Sequence, residues 1–100
     1  MTRFVRMANS YVRAVKCPRC GDVIYSRAHH DFHYCSCGAC SVDGGFDYFK
    51  YSFPHNEPPE LFVVTLGVGR RKLYDDWNNA KDKYGRIPSG KNFNGRKLCP

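Results

Sequence analysis

Cys17-Pro18-Arg19-Cys20-Gly21 and, further along, Cys35-Ser36-Cys37-Gly38 are the two stretches that decide how this chain reads. Two cysteines two or three positions apart, closed by glycine, make a turn in which both sulfurs face one point and backbone amides approach the thiolates. Glycine permits the tight backbone such a turn needs. Fourteen residues separate Cys20 from Cys35, a distance at which two close pairs commonly serve one tetrahedral ion. The sequence therefore predicts one structural zinc ion held by Cys17, Cys20, Cys35 and Cys37.

The second pair is a residue shorter than the usual knuckle, and it has a rival, because Cys37 and Cys40 are themselves spaced as CxxC. Cys35 with Cys37 is preferred, since the glycine of a knuckle follows its second cysteine and Gly38 follows Cys37. Cys40 is then a spare thiol, and Cys99 a thiol without a role. A disulfide scaffold, ordinary buried thiols and an iron–sulfur cluster are the alternatives to zinc; an intracellular chain rarely keeps disulfides.

Around this centre the chain divides into a zinc-ribbon-like unit at 11–50, a connector at 51–60, a strand and helix at 61–85 and a basic irregular tail at 86–100. Tyr11–Lys16 is β-prone and leads into the first knuckle, while residues 1–9 read equally as a short helix or a loose arm. Short β-like pieces follow at 22–26, 31–34 and 46–49, the last after the turn Asp43-Gly44-Gly45. Pro54, Pro58 and Pro59 break the pattern, as proline lacks the donor a ladder needs. Leu61–Leu66 is nearly continuously apolar, which predicts a well-buried strand. From Arg70 to Tyr84, the spacing of Leu73, Trp77, Ala80 and Tyr84 predicts an amphipathic helix stopped by Gly85 and Pro88, with Trp77 in the core. The fold class expected is a small α+β domain: a zinc-ribbon-like β-hairpin core with a C-terminal strand and one amphipathic helix.

One hundred residues leave room for one domain, and a chain this short buries so little surface that a metal staple is a natural supplement. Hydrophobic residues at 42% exclude a disordered tail. No stretch approaches the roughly 18 apolar residues of a membrane span, and Met1-Thr2-Arg3-Phe4 leads into no apolar signal core, so the chain is expected in the cytoplasm and away from membranes. A net charge of +7 favours anionic partners, whether nucleic acid or an acidic protein face.

Other motifs carry weaker chemistry. His29-His30-Asp31 between the two pairs has the residue types of a metal-dependent nuclease, or His30 replaces a cysteine as ligand. The rest of the chain supplies no further acids for a hydrolytic site, so His30 and Asp31 are expected to support the metal loop instead. Gly67-Val68-Gly69-Arg70-Arg71-Lys72 has glycines before a cationic helix start but lacks the GK[ST] ending of a phosphate loop. Arg13, Arg19 and Arg27 near the knuckles and Arg70, Arg71 and Lys72 on the helix are the candidate contacts to phosphates or a partner, with Tyr25, Phe32 and Tyr34 as candidate stacking rings.

The string Cys17-x-x-Cys20-Gly21-Asp22-x-Ile24-x-Ser26, then His30-Asp31-Phe32-x-x-Cys35-x-Cys37-Gly38, then Val42-Asp43-Gly44-Gly45-x-Asp47-Tyr48 resembles small zinc-ribbon-like proteins carried by bacteriophages. The resemblance covers about residues 11–50 and implies the same four cysteine ligands. It implies a non-catalytic accessory protein that binds a host macromolecule and alters its activity, a host protein first and nucleic acid as the alternative. A metal-dependent nuclease is the weakest reading.

Overall fold

The computed structural model describes residues 10–28, 31–44, 49–81 and 83–98. In chain order the elements are β1 (Ser10–Lys16), β2 (Val23–Ile24), β3 (Asp31–Tyr34), β4 (Ser41–Gly44), β5 (Phe49–Ser52), β6 (Glu60–Leu66), α1 (Arg70–Asn78), β7 (Arg86–Ile87) and β8 (Asn94–Lys97). The strands form two antiparallel sheets, one in the order β7-β2-β1-β6-β8 and one in the order β3-β4-β5. The α+β expectation is met.

The five-stranded sheet is built around β1, which pairs with β6 along its whole length, from Ser10 opposite Leu66 to Lys16 opposite Glu60. Side chains alternate across a strand, and β1 uses both faces. Val12 and Ala14 join Val64 and the helical Leu73 in one core, whereas Val15 turns to the other side and joins Ile24, Cys17, Cys35, Cys40 and Val42 in a second. Burying a side chain of the Val or Leu class contributes about 1.5–3 kcal/mol. The continuous apolar run of β6 follows from this layering: Phe62 and Leu66 pack toward the helix and Leu61 toward the cysteines.

Several expectations are corrected, beginning with the well-buried strand at 61–66: only Val64 is buried there and its neighbours are half-buried. Strand β5 extends to Ser52 and β6 begins at Glu60, so the connector is shorter than 51–60. The tail at 86–100 is not irregular throughout, since β7 pairs with β2 and β8 lies against β6, with Val63 opposite Arg96 and Thr65 opposite Asn94. Asn-Gly-Arg-Lys has no strand pattern of its own; the open backbone edge of β6 supplies it. The helix ends at Asn78 rather than near Tyr84, and Trp77 is 37% exposed while Leu73 and Asp76 are the buried positions.

The early stop has a local cause. After the last helical turn Ala80 takes φ 52, its N–H donates to the Trp77 carbonyl (3.2 Å), and the Lys81 N–H donates to the Asp76 carbonyl (3.1 Å). This is the paired-bond helix stop that ordinarily places glycine in the left-handed position. Replacing Ala80 with glycine should stabilise the protein by about 0.5–1 kcal/mol, read as a raised urea midpoint at unchanged slope. A lowered midpoint would contradict the assigned cap.

Candidate metal centre

The two cysteine turns are variants of one construction. In the first, the Cys17 N–H donates to the Asp22 carbonyl (2.9 Å) and the Gly21 N–H to the Cys17 carbonyl (3.0 Å). In the second, the Cys35 N–H donates to the Cys40 carbonyl (3.1 Å) and the Gly38 N–H to the Cys35 carbonyl (3.0 Å). Both loops close between positions five apart, 17 to 22 and 35 to 40, and both pass through a left-handed glycine, Gly21 at φ 78 and Gly38 at φ 76. The shorter Cys35/Cys37 spacing is absorbed because its glycine bond spans one residue fewer.

The result is a cluster in which the sulfurs of Cys17, Cys20, Cys35 and Cys37 all lie within 4.8 Å of one another, a set that could hold a metal ion. Cys37 Sγ is 3.6 Å from Cys17 Sγ and 3.6 Å from Cys35 Sγ, and all four thiols are free. Backbone amides support the sulfurs: Arg19 N–H reaches Cys17 Sγ at 3.4 Å and Cys40 N–H reaches Cys35 Sγ at 3.3 Å. Cys40 is outside the four. Its backbone closes the second knuckle and its side chain is fully buried in the core beneath it.

Proton affinities follow from the crowding. Burial opposes a thiolate at Cys17, but the amides of Cys20 and Arg19 and the thiols of Cys37 and Cys35 hold it below the ordinary cysteine value. At Cys37 the Ala39 amide pulls downward, yet burial and the neighbouring Cys35, Cys17 and Cys20 push it up to about 12. The crowding thus favours the thiolate at Cys17 and the thiol at Cys37. A divalent cation reverses that balance, because its charge outweighs the mutual repulsion of the thiolates.

Asp22 joins the two knuckles. Its buried carboxylate accepts the Ser36 N–H (2.8 Å), the Ser36 hydroxyl and the Ser89 N–H (3.1 Å). Burial alone would raise its carboxyl; Ser36, Ser89 and the charge of Arg86 hold it below the usual range. Sequence reasoning assigned it no role, although a short acceptor just after a knuckle glycine stands where loose amides gather. Asp22→Ala orphans three donors, so it should cost about 2–4 kcal/mol and weaken metal retention against a competing chelator. Unchanged retention would show that the knuckles hold their spacing without it.

The other candidates fall in separate places. Arg13 stands on the face of β1 away from the helix, its guanidinium 5.9 Å from the Phe49 ring centre. Arg19, on the first knuckle, pairs with Glu57 and so ties the connector to the metal loop. Arg70, Arg71 and Lys72 form the exposed first turn of α1. His30, with His29, lies outside the described residues, as does Cys99. Tyr25 is buried, its hydroxyl pushed up to about 12 by that burial, and is no stacking platform, whereas Phe32 and Tyr34 are more than half exposed.

Arg27 is corrected most. It is 4% exposed, bonded through Nε to Asp31 Oδ2 (2.8 Å) and through Nη1 to Asp76 Oδ2 (2.7 Å), and so is no surface contact. Asp31 also accepts the Arg27 N–H (2.8 Å) and faces His33 Nδ1 at 3.1 Å, and its carboxyl is held down to about 2: His33 and Arg27 outweigh the burial that opposes them. Asp76 accepts the N–H groups of Lys83 (3.0 Å) and Tyr84 (3.1 Å). The other ring nitrogen of His33 lies against Gly85, where an added Cβ would come within 2.2 Å of it. These acidic and imidazole groups join β3, α1 and the loop after α1 as a structural network.

Fold and site together define a small α+β protein organised on a four-cysteine cluster. A family described as a domain of unknown function, DUF7695, matches residues 11–53, the span from β1 to just beyond β5 that contains both knuckles. No curated protein and no solved structure matches the chain. No helix among the described residues is long and apolar enough to cross a membrane.

Proposed function

We propose that this protein is a zinc-stapled, non-catalytic accessory protein of phage type that binds a host protein in the bacterial cytoplasm and modulates or inhibits it. The cysteine geometry supports zinc: four thiolates around an ion with bonds of about 2.3 Å stand roughly 3.8 Å apart at tetrahedral angles, close to the observed 3.6 Å pairs. One Zn2+ would supply charge and a cross-link between the knuckles. The non-catalytic reading is supported by the commitment of Asp31, Asp76 and His33 to Arg27 and Gly85.

The observation that carries partner binding is the outer face of the β3-β4-β5 sheet. Phe32 and Tyr34 are 51% and 57% exposed there with ring centres 5.0 Å apart. Phe32 heads a row with Asp43 and Lys50. Exposed aromatics beside charges are the residue types that anchor protein interfaces. The tagged chain should retain one stoichiometric bacterial protein from nuclease-treated lysate, and Phe32→Ala/Tyr34→Ala should lose it at unchanged zinc content. Recovery of nucleic acid alone would reject this partner.

Nucleic acid is kept as the second reading by the opposite side of β1. Tyr11 is 66% exposed there, Arg13 stands over Phe49, and Tyr51 stacks on Phe53 at 5.9 Å. Binding through phosphates would weaken log-linearly with salt; a protein partner held by aromatic anchors would not. Acid gives a further check on the staple. Thiolates must take protons to release the ion, whereas Asp31 resists protonation down to about 2. Zinc release and unfolding should therefore coincide, at a pH above the range where Asp31 titrates.

A further inference from the structure

A cleft of about 250 Å3 opens between the end of β6, the loop after α1 and the segment that joins β7 to β8. Its accessible apolar lining comes from the half-buried Leu66, Ile87 and Phe93, backed by the buried Tyr25 and Val64. The Phe93 ring is held edge-on against Phe62, with centres 5.4 Å apart and planes at 86°. Around it stand Lys83, Arg86 and Lys91, three cations of one short segment, and no carboxylate is among the described lining residues. Asn92 and Asn94 add side-chain amides.

The segment carrying these groups is anchored at two points. The Lys91 N–H donates to the Pro88 carbonyl (3.1 Å), closing a turn, and the Ser89 N–H donates to Asp22 (3.1 Å), which fixes that turn to the first cysteine knuckle. An apolar floor with a few convergent polar groups is the general form of a small-ligand site. A flat ring suits the half-buried Phe93, amides suit the polar edge of a base, and a phosphate suits the three cations.

We propose that this cleft binds a nucleotide, with its base on the apolar floor and its phosphate among Lys83, Arg86 and Lys91. The site goes beyond the partner-binding reading and does not depend on it. A nucleotide reaches the cleft either free or as the 5′ end of a nucleic-acid strand, and the two share the chemistry recognised.

The test is calorimetric titration of the full metal-loaded chain at low salt with AMP, CMP, adenosine, inorganic phosphate and a 5′-phosphorylated dinucleotide. At least one nucleotide should bind once per chain, about tenfold or more tighter than adenosine or phosphate alone. Lys83→Gln/Lys91→Gln, at two exposed positions, should weaken it about tenfold or more at unchanged metal content and unfolding temperature. Lys16→Gln/Lys81→Gln, which removes the same charge elsewhere, should leave it intact. Tighter binding of the dinucleotide assigns the cleft to a strand end, and exclusion of the dinucleotide assigns it to free nucleotide. The proposal is overturned if no nucleotide saturates the chain at millimolar concentration, if phosphate alone matches AMP, or if both double variants lose binding equally.

Discussion

Arg27→Met is expected to destabilise the protein by about 3–5 kcal/mol, a large part of the 5–15 kcal/mol typical of a whole domain. The methionine fills much of the same volume, so the loss is electrostatic. Asp31 and Asp76, each with a side chain 3% exposed, would face each other's charge without the guanidinium that now lies between them. Asp31 would keep the Arg27 backbone N–H and His33 Nδ1, and Asp76 the N–H groups of Lys83 and Tyr84, which limits the damage but removes the guanidinium that the two carboxylates share. Chemical denaturation at neutral pH measures it. Converting both carboxylates to amides in the Arg27→Met background should recover a substantial part, because the cost lies in the unpaired charges. An effect below about 1 kcal/mol for Arg27→Met would show that the network is no fastening between β3 and α1.

The largest effect is expected from removing the metal. Structural zinc in small domains contributes apparent binding free energies of about 10–16 kcal/mol, most of it realised as folding. Here the cluster fastens two loops, and through Asp22 the Ser89 turn; the second core packs directly on Cys17, Cys35 and Cys40. Excess chelator should therefore melt the three-stranded sheet and lower the unfolding temperature of the whole chain. The helix-side core of Val12, Val64 and Leu73 contains none of the ligands, so residual structure after chelation should be confined to that side. Amide exchange, read segment by segment, should show residues 17–44 losing protection first. Full protection there in the presence of chelator would refute the role given to the metal.

What the sequence disclosed divides along the range of the interactions. The knuckles were legible because their signal is local: cysteine spacing, a glycine and a turn. Strands β1, β3 and β6 were legible through β-prone runs, and the preference for the pair Cys35/Cys37 over Cys37/Cys40 rested on the position of Gly38. What stayed hidden depends on partners distant in the chain. Strand β8 takes its conformation from the edge of β6, Arg27 meets Asp76 forty-nine residues away, and Asp22 meets Ser89 sixty-seven residues away. The stripe of Leu73, Trp77 and Ala80 predicts Trp77 inside, but at Ala80 the backbone already turns left-handed. The helix buries a carboxylate in place of the ring, and apolar periodicity carries no sign of that.

The proposed staple is one zinc ion held by Cys17, Cys20, Cys35 and Cys37, on which the fold depends. Native mass spectrometry of the chain, purified without added metal, tests it most directly in three forms: unaltered, Cys40→Ser and Cys35→Ser. One zinc per chain is expected in the first two and none in the third, with the third also losing its folded charge-state distribution. A metal-free, fully folded unaltered chain, or zinc retained in Cys35→Ser and lost in Cys40→Ser, would contradict it.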